Sequence, residues 1–460
     1  MTFNFTHLIC IHRTSLPPVC PQPLQDGSGD WTGVEDCLYI ALYAPDNLNG
    51  TALVFFHGGS LLVGGANDAA IEASKLALAT QSVVAVVQYR LGVLGWLPPA
   101  SSSSATNLGL RDAIVALRLL KTVLPAFGVS NIAIGGHSAG GLIIRALLAT
   151  PSAASLYNKA IMLSDPMNYA MYNASTLTTL QNNFFPNLGC STTDAACHNA
   201  LSLGSILTAQ IGFTPADYDG STAGPIPYRP IKDGSLVTSS LTTTFPSTLK
   251  PVLVTTAHDE GGALIYGQVP ALPAEYFPAV LPGVLPDFRA DAVLNSSYYT
   301  LDTSDDDTLR WTLKNVVTDL GWKCADWTFA KAWAARSGKV WTAEILRGGI
   351  YSSNADIEFC SDSELHVCHQ NDLPIVFGTA PSPTLTQSSL TTELQARIKM
   401  FIRDTNPNAP GYATWSKTTA SNVNRLSLTA TSGATASASG PCADFWGTPT
   451  APFDWQIWGL

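Results

Sequence analysis

The stretch NIAIGGHSAGGLIIRALLAT spans residues 131–150 and places Ser138 at the centre of a GxSxG pattern. The pattern alone is weak evidence, because a chain this rich in glycine contains such a string roughly 0.3 times by chance. Its context is stronger: an apolar, β-branched run ends just before Ser138, and an apolar helical pattern begins just after it. A sharp turn between strand and helix projects a serine hydroxyl freely, and small residues such as Gly136 and Gly140 permit that turn. We therefore predict that Ser138 is a nucleophile and not a buried structural serine.

Apolar runs alternate with helical patterns along the first third of the chain. Continuous β-branched runs lie at residues 52–57, 82–89 and 131–136, and apolar residues with helical spacing lie at 110–124. Further strand candidates begin at Lys159, Pro251 and Lys339. Uninterrupted apolar strands separated by helices are typical of a parallel sheet that is covered on both faces. The sequence thus predicts an α/β fold with a central, mostly parallel sheet and helices on both faces.

The composition excludes several classes of partner. Hydrophobic residues make up 46% of the chain and charged residues only 13%, which is typical of a large, heavily buried globule. The net charge of −10 is spread along the chain and argues against a nucleic-acid partner. No uninterrupted apolar run reaches the length of a membrane span, and the first residues lack the pattern of a secretory signal. The sequence leaves the oligomeric state open.

The cysteines point to an oxidising compartment. There are nine, and eight of them can be sorted into local or long-range couples, which leaves Cys10 over. None shows the paired CxxC spacing of a zinc site, so we expect disulfides and no metal. Acceptor triplets for N-linked glycans agree with an extracellular, secreted glycoprotein, although no signal peptide is visible in this chain. These triplets begin at Asn4, Asn49, Asn173 and Asn295.

A serine nucleophile on this kind of turn needs an acid and then a histidine further along the chain. His369 is the favoured base among the downstream histidines, because it follows Cys368 in a loop that a short disulfide would hold. Asp259 and Glu260 both follow a buried strand, and spacing does not choose between them. The remaining candidate bases are His198, His258 and His366.

Backbone N–H groups that bind an oxyanion form the third requirement. One belongs to the residue after the nucleophile, Ala139, at the start of a helix. The others call for a glycine-rich turn after an earlier strand, and FFHGGSLLVGG from Phe55 fits this description.

Together these segments resemble the type-B carboxylesterase family, which includes cholinesterases and the larger fungal lipases. The resemblance runs with gaps from about residue 20 to the end of the chain, and the shared order of so many segments makes it specific. The matching segments are EDCLYI at Glu35, FFHGGS at Phe55, VVQYRLGVLGWL at Val86, NLGLRDAIVALRLL at Asn107, GGHSAGG at Gly135, AIMLSD at Ala160, AHDEGG at Ala257 and VCHQNDLPIVFG at Val367.

The resemblance implies an α/β-hydrolase fold, a carboxylic ester hydrolase and no cofactor. It places the nucleophile at Ser138, the histidine at His369 and the acid at Glu260 instead of Asp259. The oxyanion donors that it implies are Gly59, Ser60 and Ala139. The disulfides that it implies are Cys20–Cys37, Cys190–Cys197 and Cys324–Cys442, with Cys360–Cys368 resembling a bridge that only some members have.

Several positions depart from the family pattern. Ser60 replaces a usual glycine, Gln88 replaces a usual asparagine, and the loop closed by Cys20 and Cys37 spans only residues 21–36, which is short for a lipase lid. The family's opening strands have no counterpart before Cys20. We therefore expect an atypical segment at residues 1–19, an alternative or misassigned start, followed by one catalytic domain at 20–460.

The expected substrate is a small-molecule or lipid ester. One alternative is a lipase that acts on longer-chain acylglycerols or sterol esters, and another is a catalytically silent adhesion or binding homologue. Some apolar residues have two possible roles: they line an acyl pocket, or they belong to the hydrophobic core. They are Leu61, Leu62, Trp96 and the proline-rich stretch after Tyr266. Trp31 lies near the position where cholinesterases keep a tryptophan that stacks on choline, but the local match does not establish a cationic substrate.

Overall fold

The computed structural model describes residues 16–100, 106–213, 228–429, 433 and 439–457. Most of the segment expected to precede the domain lies outside these ranges, as do Asn4, Cys10, the serine-rich stretch at 101–105 and much of the small-residue stretch after Thr429. The predicted domain boundary at residue 20 therefore stays a prediction.

An eight-stranded sheet organises the described residues, and a two-stranded hairpin lies apart from it. The strands are β1 (Gln22–Pro23), β2 (Trp31–Thr32), β3 (Ile40–Tyr43), β4 (Thr51–Phe56), β5 (Val83–Val87), β6 (Asn131–His137), β7 (Lys159–Leu163), β8 (Val252–Ala257), β9 (Val340–Ile345) and β10 (Leu426–Leu428). The order across the large sheet is β10-β9-β8-β7-β6-β4-β5-β3, in which only β3 is antiparallel to its neighbour. This arrangement confirms the predicted mostly parallel sheet.

Helices cover both faces of the sheet. The first nine are α1 (Ser74–Thr80), α2 (Gly92–Trp96), α3 (Leu108–Val123), α4 (Ala139–Leu148), α5 (Ala174–Phe184), α6 (Ala195–Ala200), α7 (Leu203–Gly212), α8 (Gly262–Gln268) and α9 (Phe277–Val280). The others are α10 (Asp287–Leu294), α11 (Thr308–Thr318), α12 (Cys324–Ala335), α13 (Glu358–Ser361), α14 (Leu373–Phe377), α15 (Leu385–Asp404), α16 (Pro441–Asp444) and α17 (Asp454–Ile457). A π-helix at Asp319–Lys323 joins α11 to α12. No helix in the described ranges is both long and apolar enough to cross a membrane.

Alternate side chains of β4 enter two separate cores, as the two faces of a strand require. Val54 and Phe56 belong to the larger core, which includes side chains of α3, α4 and α12. Leu53 and Phe55 belong to the smaller core, which includes side chains of α1, α14 and α15. Every residue of β4 is buried, which explains why all its residues after Thr51 are apolar.

All six predicted strands are present in the sheet, while the sequence missed β3 and β10 at its edges. β10 has only three residues, too few for a recognisable run. β3 lies within an apolar stretch at residues 37–44, but it is an antiparallel edge strand with Leu42 exposed, unlike the buried parallel strands that the sequence pattern indicates.

Four disulfides lie within the described residues. Cys20–Cys37 encloses the β1–β2 hairpin, and Cys360–Cys368 closes the loop just before His369. The other two are Cys190–Cys197 and Cys324–Cys442, the latter joining α12 to α16.

Candidate active site

Ser138 occupies a strained turn between β6 and α4. Its backbone has φ 55° and ψ −124°, a conformation that residues other than glycine rarely adopt. The chain crosses β4 so closely here that a Cβ atom on Gly140 would lie 2.1 Å from the carbonyl oxygen of Phe56. The N–H of Ser138 donates to the carbonyl of Leu163, at 2.9 Å. Packing and hydrogen bonding thus hold this serine in a conformation that local propensity disfavours.

The parallel strands explain why distant residues meet. The carboxyl ends of parallel strands share one edge of a sheet, which is where ligands bind in open α/β folds. The loop with Gly59 and Ser60 follows β4, Ser138 follows β6, and Glu260 follows β8. His369 comes to the same edge on the loop that precedes α14.

Glu260 is the acid that contacts the predicted base. Its Oε2 atom lies 2.5 Å from Nδ1 of His369, and its Oε1 atom accepts a hydrogen bond from the N–H of Ala257 at 2.7 Å. The carboxylate is 1% exposed. Because a carboxylate only accepts, Nδ1 of His369 carries the shared hydrogen and Nε2 is left free to accept a proton.

Asp259 has a different partner, which distinguishes the two adjacent carboxylates. Its Oδ1 atom accepts from the ammonium of Lys314 at 2.6 Å, and its Oδ2 atom accepts from the N–H of Val367 at 3.1 Å. Asp259 and Lys314 are both buried. Asp259 therefore ties the loop that carries His369 to α11 and does not contact the imidazole's Nδ1.

The turn after β4 presents backbone N–H groups. Ser60 and Leu61 both have positive φ, at 56° and 58°. The carbonyl of Gly59 accepts from the N–H groups of Leu62 and Val63, each at 2.9 Å. Within the described part of the chain the N–H groups of Gly59 and Ser60 have no acceptor. Ala139, the first residue of α4, has no intrahelical acceptor for its N–H either.

Ser138, His369 and this turn line one cavity of about 190 Å³. Its other described lining residues are Gln25, His57, Gly58, Val63, Gly64, Gly65, Asp68, Ile71, Tyr351, Ser353, Gln370 and Leu373. The candidate acyl-pocket residues are elsewhere: Leu61 and Trp96 lie in the larger core, and neither Leu62 nor the stretch after Tyr266 reaches the cavity. Trp31 is 38% exposed in β2 and is likewise absent from the lining.

His57 anchors the glycine-rich turn. Burial lowers the pKa of His57 to about 4, so its imidazole is neutral. Its Nδ1 lies 2.8 Å from the carbonyl of Gly58, and its ring stacks on Tyr89 with centroids 4.4 Å apart. The Tyr89 hydroxyl donates to the carbonyl of His57 at 2.7 Å. These contacts hold His57, the residue that precedes the glycine-rich turn, through both its ring and its backbone carbonyl.

A second histidine–carboxylate pair lies directly behind the site. Nε2 of His137 is 3.0 Å from Oδ1 of Asp372, and both side chains are fully buried. Burial opposes charge on His137, but the adjacent carboxylate outweighs it and raises the pKa of His137. Burial likewise opposes charge on Asp372, and the imidazole outweighs it and lowers the pKa of that carboxyl. The rings of His137 and His369 are 4.9 Å apart. Sequence reasoning missed this pair.

The other candidate bases lie outside the cavity. His258 pairs with Glu344 at 2.8 Å, and burial lowers the pKa of His258. His366 stacks on Phe359 with centroids 3.9 Å apart. His198 lies on α6. Of the four downstream histidines, the cavity is lined by His369 alone among the described residues.

Known proteins are similar to this chain in both sequence and fold. Para-nitrobenzyl esterase of Bacillus subtilis (strain 168) is 38% identical over 164 residues, which cover 34% of this chain and 34% of that protein. Pyrethroid hydrolase Ces2a of Mus musculus is 26% identical over 438 residues, which cover 87% of this chain and 75% of that protein. The matched segment thus spans about a third of the first relative and three quarters of the second.

A solved structure of PNB esterase has a TM-score of 0.73 and 24% identity, covering 91% of this chain and 85% of that chain. This likeness, with the eight-stranded sheet, establishes the α/β-hydrolase fold. The profile described as "Carboxylesterase family" matches residues 10–446. By this match over most of its length, the chain belongs to the carboxylesterase family.

Proposed function

We propose that this protein hydrolyses carboxylic esters through an acyl-enzyme intermediate, with Ser138 as nucleophile, His369 as general base and Glu260 as the acid that orients it. The observation that carries the proposal is the 2.5 Å contact between His369 Nδ1 and Glu260 Oε2, made by a histidine that lines the same cavity as Ser138. Nucleophile, base and orienting acid in this relation form the recurrent arrangement for acyl transfer.

In the first half of the reaction, the Ser138 oxygen attacks the carbonyl carbon while Nε2 of His369 takes the hydroxyl proton. The tetrahedral intermediate collapses, the bond to the alcohol oxygen breaks, and the imidazolium of His369 gives its proton to the departing alcohol. In the second half, His369 takes a proton from water as the water oxygen attacks the acyl carbon; the bond to the Ser138 oxygen then breaks, the imidazolium returns its proton to that oxygen, and the acid is released. The Glu260 carboxylate stabilises the imidazolium in both halves.

The negative oxygen of each intermediate is assigned to the N–H groups of Gly59, Ser60 and Ala139. The first two lack acceptors among the described residues, and the third opens a helix whose dipole favours negative charge. A donor of this kind contributes about 3 kcal/mol to the stabilisation of the transition state. The serine at position 60 preserves this function, because the donor is a backbone group.

A small ester fits the cavity better than a long-chain lipid. About 190 Å³ is less than the roughly 300 to 1,000 Å³ of sites that enclose drug-sized ligands. The short hairpin inside Cys20–Cys37 offers little surface for a lid. We therefore favour an esterase over the lipase alternative.

Export to an oxidising compartment is part of the same proposal. It is supported by four disulfides in the described residues. Asn295 is exposed, whereas Asn49 and Asn173, the other acceptor asparagines within the described residues, are half-buried. We expect a glycan at Asn295 in protein from a eukaryotic secretory host, seen as a mass loss after amidase treatment. An unmodified Asn295 in such protein would contradict this.

Substitution of the nucleophile tests the proposed activity. Ser138→Ala should reduce p-nitrophenyl acetate hydrolysis to the background rate, because no other group supplies the attacking oxygen. The thermal unfolding curve should remain that of the native protein, since only one oxygen is removed. Hydrolysis by purified Ser138→Ala at more than a trace of the native rate would contradict the proposal. Native protein that folds but hydrolyses no ester would favour the silent binding homologue.

A further inference from the structure

The cavity is lined in part by polar side chains that have no part in the proposed proton transfers. We call the set the polar wall and define it as Gln25, Asp68, Tyr351, Ser353 and Gln370. Four separate segments supply it: the β1–β2 hairpin, the loop after β4, the stretch after β9 and the residue next to His369. The apolar side chains that line the same cavity are only Val63, Ile71 and Leu373 among the described residues.

Asp68 and Tyr351 form the fixed centre of the wall. The Tyr351 hydroxyl donates to Oδ2 of Asp68 at 2.5 Å, and Oδ1 of Asp68 accepts from the N–H of Ala70 at 2.9 Å. The N–H of Tyr351 donates to Oδ1 of Asn371 at 3.1 Å, which ties it to the loop of the catalytic histidine. Each oxygen of Asp68 retains a further lone pair that can accept from a ligand.

Gln370 extends the wall up to the proposed base. It follows His369 directly and has φ 76°, an uncommon conformation for a residue other than glycine. The carbonyl of His369 accepts from the Asn354 amide at 2.8 Å, so the loop is held on its other side as well. Such held strain is found where a side chain must be presented to a ligand.

The position of the wall identifies which part of the ester it faces. His369 gives its proton to the departing alcohol, so the alcohol must lie beside His369 in the reacting complex. Gln370 is the next residue, and Tyr351 is joined to the same loop through Asn371. Gln370 and the pair of Tyr351 and Asp68 therefore border the alcohol side of the cavity.

We propose that the polar wall binds the hydroxyl groups of a polyhydroxylated alcohol, and that the substrates are short-chain acyl esters of polyols or sugars. This inference rests on the proposed ester hydrolysis. A carboxylate, two amides and two hydroxyls supply mixed acceptors and donors, which match hydroxyl groups that both donate and accept. Gln25 and Ser353 are exposed and the other three side chains are half-buried. An apolar alcohol that covered them would remove water from these polar groups without pairing them, which costs free energy, so the wall would also disfavour such esters.

A cationic alcohol is the competing ligand chemistry. Both oxygens of Asp68 already accept a hydrogen bond within the chain. Quaternary ammonium groups are recognised by several aromatic faces, and apart from histidines the only aromatic side chain among the described lining residues is Tyr351. These features favour neutral hydroxyl groups.

Three acetate esters test the proposal because they differ only in the alcohol: glycerol monoacetate, propyl acetate and acetylcholine. We expect kcat/KM for glycerol monoacetate to exceed that for propyl acetate by about tenfold. Tyr351→Phe and Asp68→Asn should each reduce this ratio by about tenfold, through a larger change in KM than in kcat. Asparagine at position 68 still caps the N–H of Ala70.

Asp194→Asn is the matched control, because Asp194 also accepts a backbone N–H at a helix start but does not line the cavity. Its ratio should equal the native one. Equal rates for glycerol monoacetate and propyl acetate, or a preference for acetylcholine, would overturn the proposal while leaving ester hydrolysis intact. Failure to hydrolyse even p-nitrophenyl acetate would contradict the proposed function itself. Saturation-transfer NMR of glycerol monoacetate with Ser138→Ala measures binding without turnover. If adding Tyr351→Phe to that variant removes the ligand's transfer signals, the result would support binding of the alcohol by the polar wall.

Discussion

His369 and Glu260 are 109 positions apart in the chain, yet Nδ1 of the imidazole lies 2.5 Å from Oε2 of the carboxylate. The other carboxylate oxygen accepts from the N–H of Ala257, so Glu260 is held in one orientation relative to the imidazole of His369. This geometry leads to predictions that separate the roles of neighbouring acidic residues.

Glu260→Gln should reduce kcat for p-nitrophenyl acetate by roughly a thousandfold or more, because an amide neither stabilises the imidazolium nor enforces the same tautomer. Stopped assays over a range of pH measure the change. Glu275→Gln, at an exposed glutamate outside the cavity, is the control and should keep the native rate. A loss of less than tenfold would contradict the assigned role of Glu260.

Asp259→Asn should instead act mainly on stability. The substitution removes the carboxylate that pairs with the buried Lys314 ammonium. Burial already lowers the pKa of Lys314, so its charged form depends on that partner. We expect the free energy of unfolding to fall by about 3 to 5 kcal/mol, as for other broken buried pairs. Guanidinium unfolding followed by tryptophan fluorescence measures it. An unfolding midpoint equal to that of the native protein would show that Asp259 does not hold the loop.

Asp372→Asn should reveal the buried pair with His137 through its pH dependence. In the folded protein the pKa of His137 is raised above its ordinary value of 6.5. Its contribution to the free energy of unfolding is therefore present below pH 6.5 and is lost as the pH rises through the folded-state pKa. In the folded protein the pKa of Asp372 is lowered below its ordinary value of 3.8. Its contribution to the free energy of unfolding is therefore present above pH 3.8 and is lost as the pH falls through the folded-state pKa.

The difference in unfolding free energy between the native protein and Asp372→Asn should therefore be greatest in mild acid, at roughly 3 kcal/mol or more. It should shrink toward strong acid and toward alkaline pH. Unfolding titrations at several pH values measure this difference, with Asp194→Asn as an exposed aspartate control. A difference that stays constant across the range would exclude a charged pair.

The length of the substrate's acyl chain should limit the rate of hydrolysis. In a series of p-nitrophenyl esters from acetate to palmitate, we expect kcat/KM to fall beyond butyrate, because a cavity of about 190 Å³ cannot enclose a long acyl chain. Rates measured above and below the solubility limit should change smoothly. A jump in rate at the oil interface would instead support the lipase alternative.

The interior of the fold was predictable from the sequence because its strands are buried on both faces. Residues 52–56 of β4, for example, are all apolar, and this is a direct consequence of their position in the sheet. The edge strands are less distinct: β10 has only three residues, and β3 has an exposed Leu42 although its four residues are all apolar. Local pattern identifies central strands better than edges.

The site was predictable only in part, for a related reason. The Ser138 turn has a local signature, because strand, small residues and helix follow one another in the sequence. The choice between Asp259 and Glu260 depends on Lys314 and His369, which no spacing rule connects to them. The His137–Asp372 pair is likewise made across 235 positions, so only the folded chain reveals it.

Mapping of a covalent adduct tests the central claim most directly. Native protein is treated with a fluorophosphonate probe, digested, and the modified residue is identified by mass spectrometry. The account predicts one adduct, on Ser138, formed in proportion to the loss of esterase activity, absent in Ser138→Ala and slowed in Glu260→Gln. An adduct on another serine, or persistent ester hydrolysis with Ser138 fully modified, would contradict it.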